Sequence, residues 1–234
     1  MKANVVSPSI LREMIDYYRQ RAVEYDQWWE RAGRYDQGAE LNQRWTGDRE
    51  QVYSAFDAIN FRGHVLELAP GTGTWTQRLV RAADAITAVD SSPEMIEVNR
   101  GKLASEKVRY IVADLFNWQP DQKYDGIVFG FWLSHVPVER LDSFFQFVAS
   151  ALRPGGKIFF IDGLRERTST AIDHSLPDDS QQLMTRKLND GRTFRIVKNF
   201  YLQGHLNAAC KRAGLSVEIK STPTYFYYGI GSVI

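Results

Sequence analysis

A glycine-containing turn stands where an α/β protein can hold a nucleotide-like ligand. Gly71 and Gly73 lie in the segment ELAPGTGTW, directly after the apolar run HVLELA at 64–69. Without a Cβ atom, glycine permits a sharp turn and a close approach of the backbone to a ligand, and the helix start that follows favours a negative group. By itself, this pair of glycines is equally typical of a tight turn that packs a helix onto a sheet.

Two aspartates strengthen the interpretation. Asp90 ends the run AITAVD, about 20 residues beyond the glycines, where a carboxylate can accept hydrogen bonds from both hydroxyls of a ribose. Asp114 ends the run VRYIVAD, and Leu115 and Phe116 follow it, which suits the edge and the face of an adenine. Either aspartate alone is more often a turn residue or a helix cap. Three such features in strand order favour a ligand that contains adenosine.

The glycine spacing argues against a dinucleotide cofactor. The fingerprint GxGxxG requires a third glycine at position 76, where this chain has Thr76. The chain also has no recognisable Tyr-x-x-x-Lys or comparable set for hydride transfer.

These residues must be positioned by alternating strands and helices. Short apolar runs occur at 64–69, 85–90, 108–114, 123–131 and 156–163, with helical segments between them. This alternation predicts a parallel sheet with helices on both faces. Two further strands in LSVEIKS and TYFYYGI predict an antiparallel C-terminal hairpin at one sheet edge.

The chain divides into two regions on this pattern. Residues 1–60 predict a helical lid, with helices at 8–30 and 40–59, and residues 61–234 predict the ligand-binding domain. A polar stretch at about 165–200 interrupts the alternation and is predicted to form a cap-like insertion, in which an Asp-Gly turn precedes a strand.

Composition narrows the function classes. In 234 residues, 29 basic side chains nearly balance 28 acidic ones, so no strong field is available to hold a nucleic acid. The single cysteine, Cys210, excludes a disulfide framework and is predicted to be a small buried residue. The N-terminus has no export signal, and no stretch approaches the roughly 20 apolar residues of a membrane span. We therefore expect a cytoplasmic protein with neither a nucleic-acid nor a membrane partner; its oligomeric state cannot be read from the sequence.

As an ordered set, ELAPGTGTW, VDSSPEMI, VADLFNW, YDGIVFGFWLSHV and LRPGGKIFFID resemble the class I methyltransferases that use S-adenosylmethionine (SAM), particularly the small-molecule type. The resemblance covers about residues 50–165. It implies a Rossmann-like sheet of seven mostly parallel strands, SAM as cofactor, S-adenosylhomocysteine as product, and no metal.

The resemblance also implies roles for individual residues. It assigns the methionine end of SAM to the first loop, the ribose to the second, adenine to the second and third, and the sulfonium to the loop after the fourth strand. An N-terminal helix with tyrosines would close over the methionine end. The implied cofactor-binding residues are Tyr18, Tyr25, Glu67, Ala69, Pro70, Gly71, Thr72, Gly73, Asp90, Ser91, Met95, Asp114, Leu115, Phe116 and Phe131.

The acceptor side is defined by fewer signals. His135 follows the fourth strand and is the first candidate for a general base, with helix capping or packing as an equal alternative. His174 lies in the insertion and is predicted to be exposed. Trp132 and Tyr227 are candidate acceptor contacts, and Arg195 is another if its side chain points inward; otherwise it lies on a solvated strand face.

The sequence thus predicts a SAM-dependent methyltransferase that acts on N or O of a small metabolite by direct displacement. Two alternatives are a catalytically silent SAM-binding subunit and, less favoured, an NAD-dependent oxidoreductase. The segment GFWL after the fourth strand differs from the NPPY-like tetrad of nucleic-acid methyltransferases. A protein substrate stays possible.

Overall fold

The computed structural model describes residues 5–178 and 181–234. Its main sheet has seven strands in the order β3-β2-β1-β4-β5-β9-β8, of which β9 runs antiparallel to both of its neighbours. The predicted fold class, a mostly parallel Rossmann-like sheet with an antiparallel C-terminal hairpin, is confirmed. The strands are β1 His64–Leu68, β2 Ala85–Asp90, β3 Val108–Val112, β4 Tyr124–Gly130, β5 Leu152–Gly163, β8 Leu215–Ser221 and β9 Phe226–Val233.

Strand burial follows position in the sheet. The central strands β1, β2 and β4 are buried over almost their whole length, because helices cover both faces. The edge strands β3 and β8 are more exposed, and in β8 more buried and more exposed residues alternate. The continuous apolar runs in the sequence are therefore the central strands.

Seven α-helices are present in the described residues. The predicted helix over 8–30 is in fact two helices separated by a turn, and the helix after β1 is only one turn long. The helices are α1 Pro8–Arg21, α2 Asp26–Trp29, α3 Ala39–Ile59, α4 Thr76–Leu79, α5 Pro93–Leu103, α6 Leu141–Ala151 and α7 Gln203–Arg212. None of the helices in the described residues has the length and apolar character needed to cross a bilayer.

The insertion forms a second, two-stranded sheet. Strands β6 (Leu183–Lys187) and β7 (Thr193–Val197) pair antiparallel around the predicted Asp-Gly turn. Helix α1 packs against this hairpin: Ile10, Met14 and Tyr17 form one apolar cluster with side chains of both strands.

The second long helix belongs to the main core. Trp45, Val52 and Phe56 of α3 are buried and pack with apolar residues on one face of the large sheet. Within the predicted lid at 1–60, it is α1 that packs beside the β6–β7 hairpin. Cys210 is buried on α7, as predicted.

Candidate cofactor and acceptor site

The sheet order reverses between β1 and β4, and both strands end in strained backbone. β1 connects to β2 on one side, and β4 connects to β5 on the other, which makes their carboxyl ends the expected place for a ligand. Ala69 follows β1 with φ 51°, and Phe131 follows β4 with φ 58°. Such angles cost a residue other than glycine on the order of 1 kcal/mol and concentrate at functional sites.

The loop after β1 requires its second glycine. Gly73 has φ 99°, and a Cβ atom there would lie 2.8 Å from the Asn99 side-chain oxygen. Gly71 also has a positive φ, of 55°. Its backbone N–H donates to Asp90 at 3.1 Å, so the loop is held against the end of β2.

Glu67 supplies an unpaired buried carboxylate below this loop. The residue is 1% exposed, and neither of its side-chain oxygens forms a hydrogen bond of standard length and angle with a described residue, although the Thr76 hydroxyl and backbone N–H lie near enough to lower its pKa in part. Burial raises the pKa of Glu67 to about 8. A buried acid without a partner is costly, so the site suits a ligand that brings a cation or a hydrogen-bond donor.

Backbone N–H groups orient the Asp90 carboxylate at the end of β2. Its two carboxylate oxygens accept from the backbone N–H groups of Gly71 and Ser92, the latter at 2.9 Å. Burial raises the pKa of Asp90 to about 6. The Ser91 backbone N–H also donates to this carboxylate, which leaves acceptor capacity for a further donor such as a ribose hydroxyl.

An apolar cleft lies beside Asp90, between α1 and the loops after β2, β3 and β4. Its polar lining is confined to a few groups, among them Asp114. The Asp114 carboxylate accepts a hydrogen bond from the Phe116 backbone N–H at 3.0 Å. Of the predicted adenine neighbours, Met95 is buried but does not line this cleft. The lining residues are Leu11, Met14, Ile15, Tyr18, Ser91, Asp114, Leu115, Phe116 and Trp132.

A second, more polar cleft adjoins the first at Tyr18, which lines both. It encloses about 590 Å³ of space between atoms, with open solvent at its mouth included. Three aromatic side chains form one wall, since Trp28 and Phe226 pack on Phe131 with ring centroids 4.7 and 5.8 Å from it. Tyr25 also lines this cleft.

His135 reaches this second cleft but is already engaged. Its Nδ1 lies 2.6 Å from the Val197 carbonyl oxygen and must donate to it, so in the neutral ring Nε2 accepts from the Tyr18 hydroxyl at 2.7 Å. Burial, with a smaller effect of the Lys198 charge, lowers the pKa of His135 to about 3. Direct proton abstraction by His135 is therefore poorly supported, and its role as general base stays a prediction.

The structure adds three cationic residues that the sequence had not singled out. Arg21 of α1, Arg186 of β6 and Lys198, just after β7, all line the second cleft. Arg21 lies among the tyrosines noted in the sequence, but nothing in the pattern around Arg186 or Lys198 showed that the hairpin folds back over the site.

Three candidate acceptor contacts lie outside the polar cleft, and Arg195 takes the alternative position, on a solvated strand face. Arg195 points away from the cleft and pairs with Glu13 on the surface, because its strand turns that face towards solvent and the side of α1. Tyr227 packs in the core on the opposite face of the sheet from Phe226, since alternate residues of β9 point to opposite faces. Trp132 lines the apolar cleft instead of the polar one.

His174 is not the exposed residue that the sequence predicted. It is 3% exposed and lies between Arg34 and Arg186, with ring nitrogens 2.6 and 3.0 Å from their guanidinium groups. The insertion buries His174 because it folds back onto the N-terminal segment.

Comparisons with known proteins agree with this geometry. A family model described as "Methyltransferase domain" matches residues 65–156. The solved DhpI-SAM-HEP complex is 35% identical with a TM-score of 0.75, and the match covers 97% of this chain and 99% of that one. The chain belongs to the class I SAM-dependent methyltransferases. The cofactor of this family is SAM, and a second solved DhpI structure, 33% identical with a TM-score of 0.74 over 97% of this chain and 99% of that one, is a complex with S-adenosylhomocysteine (SAH).

Curated relatives match over a shorter region. Malonyl-[acyl-carrier protein] O-methyltransferase 1 of Ilyobacter polytropus is 30% identical over 60% of this chain and 57% of its own length. Demethylmenaquinone methyltransferase of Tropheryma whipplei is 31% identical over 40% of this chain and 39% of its own length. The chain therefore spans between about two fifths and three fifths of the length of these relatives.

The residues present fit SAM. The partnerless carboxylate of Glu67 suits the ammonium group at the methionine end, Asp90 has acceptor capacity for a ribose, and the apolar cleft past Asp114 has the character of an adenine site.

Proposed function

We propose that this chain transfers the methyl group of SAM to a nitrogen or oxygen atom of a small-molecule acceptor that binds in the polar cleft. The observation that carries the proposal is the pair of clefts that meet at Tyr18. One is apolar and adjoins the predicted ribose carboxylate Asp90, and the other is polar and opens beside Phe131. This arrangement supports binding of a cofactor and an acceptor end to end.

Methyl transfer from a sulfonium makes few chemical demands on the protein, because the methyl group is already activated when SAM is bound. The chain has to align the acceptor atom behind the methyl carbon and exclude water. The aromatic wall of Trp28, Phe131 and Phe226 serves the exclusion, and the strained φ of Phe131 holds its ring at the end of β4.

Glu67, Asp90 and the Gly71–Gly73 loop are assigned to cofactor binding. Tyr18 and Tyr25 are assigned to closing the cofactor groove from the N-terminal side. In this assignment the Tyr18 hydroxyl is oriented by Nε2 of His135, so His135 acts on the site through Tyr18.

The malonyl-[acyl-carrier protein] and ubiquinone-biosynthesis O-methyltransferases among the relatives are consistent with oxygen as the acceptor atom. Their partial coverage leaves the acceptor of this chain to be determined by assay.

The test has two stages. Calorimetric titration with SAM, SAH and NADH should give micromolar binding of the two adenosyl ligands and none of NADH. SAH formation is then followed with panels of amines, phenols, alcohols, carboxylates and phosphoryl compounds. Turnover with one class supports the proposal, with Asp90→Ala as the variant that should lose it. Tight SAM binding without turnover on any class would instead favour the silent SAM-binding subunit.

A further inference from the structure

The polar cleft carries an excess of positive charge. Arg21, Arg186 and Lys198 line it, and none of the described residues that line it is Asp or Glu. Behind the wall, Asp162 lies 3.3 Å from the Lys198 ammonium group. Among the described residues, one of the three cations therefore has a carboxylate partner.

That carboxylate is already satisfied by other groups. Asp162 is fully buried, and its two oxygens accept from the backbone N–H groups of Ser134 at 2.8 Å and Gly163 at 2.7 Å. Lys198 in turn donates to the Ser134 hydroxyl at 2.8 Å. The ion pair thus fixes the base of the cleft and leaves the other two cations uncompensated.

Arg21 is buried without an acidic partner. It is 5% exposed, its guanidinium lies over the Tyr25 ring at 4.8 Å, and one amino group donates to the Tyr35 hydroxyl at 3.1 Å. Its Nε atom is buried with no hydrogen-bond partner among the described residues. A buried guanidinium normally has an anion beside it, because desolvation of the charge is otherwise costly.

Arg186, a partly buried residue in the lining of the cleft, likewise has no acidic partner among the described residues. Its terminal nitrogen donates to the Thr170 hydroxyl and lies 3.0 Å from Nδ1 of His174, while its Nε has no partner within the described part of the chain. His174 also faces the guanidinium of Arg34 at 2.6 Å. Arg34 is compensated by Asp173 at 3.2 Å, but the Arg186 Nε has no partner, so an added acceptor oxygen would satisfy it.

From these contacts we infer that the polar cleft binds an oxyanion group of the acceptor, a phosphoryl-type group or a carboxylate, between Arg21, Arg186 and Lys198. This inference rests on the proposed function for the identity of the ligand as an acceptor, but anion binding itself requires no turnover. Guanidinium groups bind both oxyanion types through charge-assisted hydrogen bonds.

The test uses the SAH-saturated protein, so that the cofactor groove is filled. Inorganic phosphate and acetate are titrated separately, with sodium chloride at equal ionic strength as reference, and binding is followed by calorimetry and by the melting temperature. Saturable binding of phosphate, of acetate or of both supports the inference and identifies the class of oxyanion. Binding of neither beyond the chloride reference overturns it.

Substitutions locate the site. Arg186→Met should weaken binding of the supporting anion by about tenfold or more, as expected for loss of a charge-assisted hydrogen bond, and Arg186→Lys should weaken it less. Arg192→Gln, an exposed position on the same hairpin paired with Asp190, should leave it unchanged.

The SAM affinity of Arg186→Met distinguishes binding of an acceptor oxyanion by the three cations from binding of the cofactor carboxylate. If the cations hold the oxyanion of the acceptor, Arg186→Met keeps the SAM dissociation constant within about twofold. A tenfold weaker affinity for SAM would mean that Arg186 serves the cofactor carboxylate, which overturns the inference and leaves the proposed methyl transfer intact. Conversely, if the anion binds but no acceptor is methylated, the proposed function is wrong and the inference of anion binding stands.

Discussion

The unpaired carboxylate of Glu67 should make the ligand-free protein less stable as pH rises. Its pKa is 4.5 in an unfolded chain and about 8 in the fold, because burial disfavours the charged form. A group whose pKa is raised on folding stabilises the fold fully below pH 4.5 and loses that contribution as pH rises towards 8. Each pH unit inside this window costs about 1.4 kcal/mol of unfolding free energy.

Replacing Glu67 by Gln removes the titration and keeps the shape. Between pH 5.5 and pH 7.5, the unfolding free energy of the wild type should therefore fall relative to Glu67→Gln by roughly 2.7 kcal/mol. Taking the difference between the two proteins cancels groups that do not interact with Glu67, such as His135, whose lowered pKa has the opposite effect on stability. Asp90, whose pKa is raised to about 6, does interact with Glu67 and contributes to the difference near that pH. The cost of burying the Gln amide does not depend on pH. It changes the size of the difference in unfolding free energy between the two proteins, but not the slope of that difference against pH.

The assay is urea denaturation at pH 5.5, 6.5, 7.5 and 8.5, without ligand. Glu106→Gln, at an exposed position, is the matched control and should follow the wild type at each pH. A difference between wild type and Glu67→Gln that stays flat over this range would refute the assignment of a raised pKa to Glu67. With saturating SAM the wild type should become more stable than Glu67→Gln. The cofactor ammonium then compensates the Glu67 carboxylate, which the variant lacks.

Three further predictions concern the same loops. Asp90→Ala should weaken SAM binding by about tenfold or more in calorimetry, because the ribose loses a charged acceptor, and an unchanged dissociation constant would contradict the placement of the ribose. His135→Gln should lower kcat by less than about tenfold, since an imidazole with a pKa of about 3 is a poor base at neutral pH. A loss of kcat of a hundredfold or more in steady-state assays would instead support His135 as the general base. Gly73→Ala should destabilise the fold by about 1–3 kcal/mol, because φ is 99° and the new Cβ would meet Asn99. The control Gly101→Ala lies in helix α5 with open space around it and should be neutral or stabilising. Equal melting temperatures for these two variants would contradict the strain argument.

The sequence by itself determined the sheet and the cofactor loops. Central strands such as HVLEL are buried on both faces and read as continuous apolar runs, and their order along the chain places Gly71, Asp90 and Phe131 at the same edge. These are local signals, because strand periodicity and a turn that requires glycine depend on neighbours only a few residues away.

Tertiary structure alone decided the lining of the polar cleft, the site proposed for the acceptor. Arg186 and Lys198 come from a hairpin more than 160 residues after Arg21, and the three meet only because α1 packs against that hairpin. The insertion also folds onto the N-terminal segment at Arg34 and buries His174, which the sequence predicted to be exposed, while the packing of α1 on the hairpin pairs Arg195 with Glu13 at the surface. Contacts between segments so far apart leave no periodic trace in either segment, so the charge of the cleft could be read only after the chain had been folded.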